Sequence, residues 1–349
     1  MEWTEFYKFV RVWLTAIASL AFCFKMSNTV PPGPKRLILV VLPIVGLFLY
    51  LPLTISSPHL GGTTGFFLAW LANFKLLLWA FNQGPLASGS SISLPLFVAL
   101  ACLPIKIQQT PNSKPKEEAL FPVLGYGVKA LIIILFVRIY DYSDYLHPKI
   151  LLLFYAFHIY FLLEIILVVG ATLARTLMGL ELEPQFNQPV LATSLQDFWG
   201  KRWNLMVTGI LRPTVYVPTV KTCSRLIGRK WAPLPGVFMT FVVSGVMHEL
   251  IFYYLGRVRP TWEVGGFFIL HGICLTIEIV LKMTLDERWR LSRVISGPLT
   301  TGFVMATGIW LFLPAFGKSK IDVRAFEEYA AIGALLRSMT NVSPSTVTQ

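Results

Sequence analysis

The sequence predicts an all-α polytopic membrane protein with about nine transmembrane helices and short amphipathic helices in a cytosolic loop. Three observations predict it. First, the 349 residues are 55% hydrophobic and only 14% charged, with a mean hydropathy of +0.64. A soluble domain carries about 25% charged residues, so there are too few here to cover a water-facing surface of this size. Second, the apolar stretches are long and continuous, which suits helices; a barrel would show alternating ten-residue pieces. Third, 30 Lys and Arg against 18 Asp and Glu give a net charge of +12, but the basic residues fall between apolar stretches. That spacing sets orientation and is not a nucleic-acid footprint. Disorder, a coiled coil and a cytosolic enzyme are excluded on the same grounds.

The spans follow in order. About 20 apolar residues cross roughly 30 Å of hydrocarbon, which places segments near 9–24, 37–53, 64–81, 92–104, 120–140, 150–171, 233–256, 263–283 and 294–316. The first lacks a small-residue cleavage site, since Lys25 and Met26 follow it, and is read as a retained span. The second and fourth are marginal. The fourth is short and bounded by Pro95 and Pro104, so a re-entrant path competes with a full crossing. No internal repeat is visible, and residues 1–349 read as a single domain with its catalytic part at about 172–316.

Orientation comes from the loops. The 172–232 interval holds Arg175, Lys201, Arg202, Arg212, Lys221, Arg225, Arg229 and Lys230 against Glu181, Glu183 and Asp197, which places it in the cytosol. The loops carrying Lys106, Lys114 and Lys116 and carrying Arg288, Arg290 and Arg293 share that side, and the tail from about 317 is lumenal. Lys25, Lys35 and Arg36 disagree with this arrangement. Within the cytosolic interval, Leu195–Met206 mixes Phe198, Trp199, Trp203 and Leu205 with Lys and Arg. That is a composition for the headgroup layer.

Ionisable residues inside spans cost at least ~2.5–3.5 kcal/mol and mark function by default. They are Lys75, Lys129, His158 with Glu164, His248 with Glu249, and His271 with Glu278. His248 sits mid-span, with Ser244 one turn before it on the same face and Gly245 allowing close helix approach. Glu249 points about 100° away, so it orients His248 indirectly or pairs elsewhere. His271 and Glu278, seven residues apart, share a face around Cys274; a functional pair and a structural one fit equally. His158 reads as structural. A catalytic His248 competes with a purely structural one, and a proton relay through His248, Glu249, His271 and Glu278 would make a transporter.

Other chemistries fall away. Cys23, Cys102, Cys223 and Cys274 have neither disulfide nor metal spacing. Position 252 is Phe, so there is no HExxH zinc motif, and there is no Walker A loop, GxGxxG or GxSxG. What survives is a lone histidine base in the membrane, suited to a hydroxyl attacking an activated acyl donor.

Phe198-Trp-Gly-Lys-Arg-Trp-Asn204 resembles the aromatic-rich, Asn-ending motif of membrane-bound O-acyltransferases, and Met247-His248-Glu249 resembles their His-Glu box. Pro184–Trp199, Arg259-Pro-Thr-Trp-Glu-Val264 and Trp70-Leu-Ala-Asn-Phe-Lys-Leu-Leu77 are similar to the plant wax-synthase branch, close also to plant sterol acyltransferases. The resemblance covers nearly the whole chain. It implies the fold of that family and fatty acyl transfer from acyl-CoA to a lipophilic alcohol in the endoplasmic reticulum membrane, with no cofactor beyond acyl-CoA as co-substrate. A long-chain alcohol is the expected acceptor, a sterol or diacylglycerol the alternative. Gly200, Lys201 and Arg202 depart from relatives that place an acidic residue and a second Trp there.

His248 matches the family's catalytic histidine and Asn204 its second catalytic residue, which positions the alcohol or donates to the oxyanion; Glu249 would act behind His248 if it reaches. Substrate contacts are expected from Trp199, Trp203, Ser244 and His271. Lys201, Arg202 and Arg212 are candidates for the phosphates of CoA, or are ordinary charges beside anionic lipid.

Overall fold

The computed structural model describes residues 3–87, 92–104, 120–178, 185–285 and 291–340. Lys106, Lys114, Lys116, Glu181, Glu183, Pro184, Arg288 and Arg290 lie outside them. Among the described residues the secondary structure is helical throughout, and the protein is a multi-pass membrane protein with seven helices long and apolar enough to span a bilayer. These are α1 (Trp3–Met26), α2 (Pro34–Thr54), α3 (Pro58–Ala80), α6 (Pro148–Met178), α9 (Pro233–Gly256), α10 (Glu263–Thr284) and α11 (Arg293–Lys318). Between them lie α4 (Leu94–Cys102), α5 (Leu120–Tyr140), α7 (Leu205–Leu211) and α8 (Val217–Ile227), and α12 (Ile321–Thr340) follows.

Among the described residues the expected count of nine is therefore not reached. α4 has nine residues, roughly 13 Å of helix, less than half of what a crossing needs. Lys75 explains how so short a helix is held: its buried Nζ donates to the carbonyls of Leu100 and Leu103 at 2.6 and 2.7 Å, satisfying acceptors that the end of α4 leaves open. α5 does form at 120–140 and is 21 residues long, but it is not among the seven. Lys129 on it meets Glu164 of α6 at 2.7 Å, so these two ionisable residues neutralise each other.

Arg36 resolves part of the charge disagreement in the first loop. It is 3% exposed and donates to the carbonyls of Ser27, Val30 and Trp79, with its guanidinium 4.6 Å over the Trp79 ring. It ties the α1–α2 turn to the end of α3 and is not a free charge at the membrane surface.

The half of the chain that carries His248 is built on an antiparallel pair, α9 and α10. A Cβ at Gly245 would lie 3.3 Å from the Cα and carbonyl oxygen of Gly265, and one at Gly272 would lie 2.9 Å from Phe241. Glycine therefore sets this helix separation, as expected for Gly245. α3 approaches α9 in the same way: a Cβ at Gly62 would strike Leu255 and one at Gly65 would strike Tyr254. Further along, Trp70 meets His248. Rising numbers on α3 meet falling numbers on α9, so the two run antiparallel.

α12 closes one end of the bundle. His59 pairs with Glu328, its Nε2 lies 2.9 Å from the Tyr329 hydroxyl, and Arg324 donates to the Leu255 carbonyl at 2.7 Å. His158, read as structural, stacks on Tyr140, whose hydroxyl is 3.3 Å from its Nδ1, while Tyr155 donates to Asp322 of α12 at 3.2 Å.

Candidate active site

His248 stands midway along α9 with its Nδ1 2.7 Å from the main-chain carbonyl oxygen of Ser244, one turn earlier. A carbonyl only accepts, so Nδ1 carries the proton, and in the neutral imidazole Nε2 presents a lone pair. The carbonyl of Ser244 makes this bond, not its buried hydroxyl. Three aromatic rings from three other helices surround the imidazole. Phe268 of α10 lies 4.2 Å away at 30°, Trp70 of α3 lies 5.1 Å away at 76°, and Phe312 of α11 lies 5.9 Å away at 68°. His248 is half-buried within this shell. The result is a fixed, neutral imidazole with one basic nitrogen in an apolar setting, an arrangement able to take a proton from a hydroxyl.

Glu249 does not reach it. The carboxylate is 4% exposed and its Oε1 accepts the main-chain N–H of Gly265 at 2.8 Å. Gly265 lies in the first turn of α10, whose N–H groups have no partner within the helix, and a carboxylate also suits the positive end of the helix dipole. Of the two expected arrangements the structure shows the pairing elsewhere: Glu249 fastens α9 to the start of α10. Glu249→Gln keeps an acceptor oxygen, so we expect its kcat to stay within about threefold of the parent, whereas a residue acting in the proton transfer would lose roughly 10²-fold. Turnover by purified protein decides between these outcomes.

His271 is fully buried and both its nitrogens are engaged. The Trp199 indole N–H donates to Nδ1 at 3.1 Å, and Nε2 lies 2.9 Å from the Thr307 hydroxyl. Indole N–H only donates, so the proton is on Nε2 and points to Thr307, whose own hydroxyl donates to the Phe303 carbonyl at 2.7 Å. The structure thus leaves neither nitrogen free for a substrate; His271 pins the 198–202 segment and α11 to α10. Glu278 is not its partner. It accepts from the main-chain N–H groups of Leu195 and Gln196 and from Lys282, holding the short helix Leu195–Asp197.

The Phe198–Asn204 segment is an aromatic knot. Trp199 packs edge-on against Phe241 at 5.5 Å, and Trp203 stacks on Phe198 at 5.4 Å and Tyr160 at 5.9 Å. Asn204 follows with φ 42°, in the left-handed region that Asn tolerates better than most side chains, and its Oδ1 accepts the Val207 N–H at 3.4 Å to start α7. Met206 and Ile210 of α7 pack on Leu71 of α3. Among the described residues no hydrogen bond joins Asn204 to His248; α3, with Leu71 on one side and Trp70 on the other, connects them.

The three basic candidates separate. Arg202 is tied down: its Nε meets Asp197 at 2.7 Å and Nη1 donates to the carbonyls of Asn187 and Gln188. Burial raises the carboxyl of Asp197, but the hydrogen bond from Arg202, the N–H of Thr193 and the charges of Arg202 and Lys201 outweigh it and hold the group below the usual carboxylate range. Arg202 thus braces this segment through Nε and Nη1. Lys201 and Arg212 are exposed. Trp70 is the neighbour of His248 that residue chemistry did not single out, because a tryptophan in an apolar span is ordinary; Gly62 and Gly65 just before it were the available signal of a close helix approach.

Residues 182–270, which contain both Asn204 and His248, match the Membrane bound O-acyl transferase family. Over its length the chain is similar to Acyl-CoA--sterol O-acyltransferase 1 of Arabidopsis thaliana, with 51% identity over 93% of this chain and 95% of the relative. It is 45% identical to the Long-chain-alcohol O-fatty-acyltransferase of Simmondsia chinensis, over 93% and 94% respectively. It is 43% identical to Probable long-chain-alcohol O-fatty-acyltransferase 3 of Arabidopsis thaliana, over 94% and 95%.

Proposed function

The chain belongs to the membrane bound O-acyl transferase family, and we propose that it moves a fatty acyl group from acyl-CoA to the hydroxyl of a lipophilic alcohol, with His248 as general base. The observation that carries this reading is the bond from His248 Nδ1 to the Ser244 carbonyl. It fixes the tautomer and leaves Nε2 as the basic atom. The alcohol oxygen attacks the thioester carbonyl as its proton passes to Nε2. CoA leaves as a thiolate, whose pKa of about 8.5 makes it a good leaving group without a strong general acid. Asn204 has committed Oδ1 to Val207, and with α3 between it and His248 it is assigned to holding the start of α7 and not to contact with the reacting oxygen. The site of action is the endoplasmic reticulum membrane.

A sterol is the first acceptor, because the chain is 51% identical to the relative named for sterol acylation and 45% and 43% to two named for long-chain alcohols. The long-chain alcohol expected from the sequence is the second reading, carried by those two relatives. Purified protein assayed with a sterol, a long-chain alcohol and diacylglycerol, each with long-chain acyl-CoA, tests both. Ester formed only from the long-chain alcohol would overturn the first reading, and no ester from any acceptor would overturn the function.

Lys201 and Arg212 are assigned to the phosphates of CoA, with cytosolic charge steering the anion. Replacing both by alanine is expected to raise KM for acyl-CoA by about 3–10-fold at low salt and to leave kcat nearly unchanged, the difference shrinking as salt screens it. Steady-state kinetics at two ionic strengths reads this out. An unchanged KM at low salt would return both residues to the role of ordinary membrane-facing charges.

A further inference from the structure

The geometry points to a second group acting on the reacting atoms: Trp70, whose indole N–H donates to the carbonyl oxygen of the acyl donor as negative charge develops there. The inference rests on His248 serving as the base of an acyl transfer.

Trp70 is 2% exposed, and its Nε1 is a buried donor without a hydrogen-bond partner. Buried donors are almost always paired, so an unpaired one beside a catalytic base calls for an acceptor that arrives with the substrate. The indole lies 5.1 Å from the His248 ring and nearly perpendicular to it. It is held there by an edge-on contact with Phe66 at 5.6 Å and by the close approach of Gly65 to Tyr254. The stretch Gly65–Ala72 runs as wide π-helical turns, and so does Gly308–Phe312, which carries Phe312.

The other rings around His248, Glu249 and Trp199 cannot take this part. Phe268 and Phe312 have no donor, Glu249 is committed to Gly265, and the Trp199 N–H is committed to His271. Trp70 is the donor among the side chains in ring contact with His248.

In the step itself the alcohol oxygen forms a bond to the thioester carbon while its proton goes to His248 Nε2. The carbonyl π electrons move to oxygen, and that oxyanion accepts the Trp70 N–H without taking its proton. When the carbonyl re-forms, the C–S bond breaks with its electron pair on sulfur, and the proton on His248 leaves with the thiolate as CoA–SH. The attacking oxygen and the oxyanion are bonded to one carbon, so a base and a donor side by side match them.

Two replacements test the assignment in the full-length protein: Trp70→Phe, and 3-benzothienylalanine at position 70, which keeps the bicyclic shape and exchanges N–H for sulfur. Both are expected to lower kcat about 10²-fold, with KM for acyl-CoA within about threefold, the pattern of an interaction made only in the transition state. A Trp70→Phe kcat close to the parent's overturns the proposal. So does full activity in the benzothienyl protein, which would make Trp70 a packing residue; that variant also decides if Trp70→Phe does not fold. Absence of acyl transfer in the parent, or full activity in His248→Ala, would instead overturn the function beneath it.

Discussion

His248→Ala is expected to lower kcat for ester formation by about 10²–10⁴-fold, the range for removing a positioned general base. Binding should be affected far less, because the imidazole contributes one nitrogen to the chemistry and Nδ1 is already spent on Ser244. The variant should fold: a half-buried ring is lost from a shell in which Phe268, Phe312 and Trp70 remain packed with other partners. His248→Gln makes the comparison stricter, since it restores bulk and polarity without a basic nitrogen, and it should be as slow as alanine. Single-turnover kinetics on purified protein, with folding checked by circular dichroism and thermal unfolding, measures both. A His248→Ala kcat within about threefold of the parent would remove general-base catalysis from this residue.

Much of the fold was legible because a membrane makes the sequence simple. Seven expected spans recur as long helices, since twenty apolar residues without charges have few alternatives to a transmembrane helix. The fourth stretch shows the limit: Pro95 and Pro104 bound a helix too short to cross, yet nothing in the sequence tied Lys75 to the carbonyls that hold it. His248 was legible for the same reason as the spans, because an ionisable group in hydrocarbon stands out. Its partners were not. Whether Glu249 meets His248 or Gly265 depends on how α9 and α10 are registered, and that register is set by Gly245 against Gly265. Trp199 and His271 are 72 positions apart and meet through tertiary packing. The family resemblance carried Asn204 and His248 to their positions, but it could not say that α3 lies between them.

The second large effect is on stability. His271→Phe keeps an aromatic ring in a fully buried site and removes two acceptor or donor nitrogens at once. The Trp199 N–H then has no acceptor, costing ~1–3 kcal/mol, and Thr307 loses one hydrogen bond worth roughly 0.5–1.5 kcal/mol. Thr307 is spared more because its hydroxyl keeps the Phe303 carbonyl. A loss of about 2–4 kcal/mol is therefore expected, read as earlier thermal inactivation in detergent. Turnover should fall indirectly, since Trp199 packs 6.0 Å from Phe268, the ring 4.2 Å from His248. Trp199→Phe combined with His271→Phe sharpens the argument: with donor and acceptor both gone no buried group is orphaned, so the double variant should be less destabilised than the sum of the singles. A His271→Phe protein that keeps the parent's thermal stability but binds acyl-CoA or alcohol weakly would reverse this conclusion. It would return His271 to the substrate-contacting role that the sequence suggested.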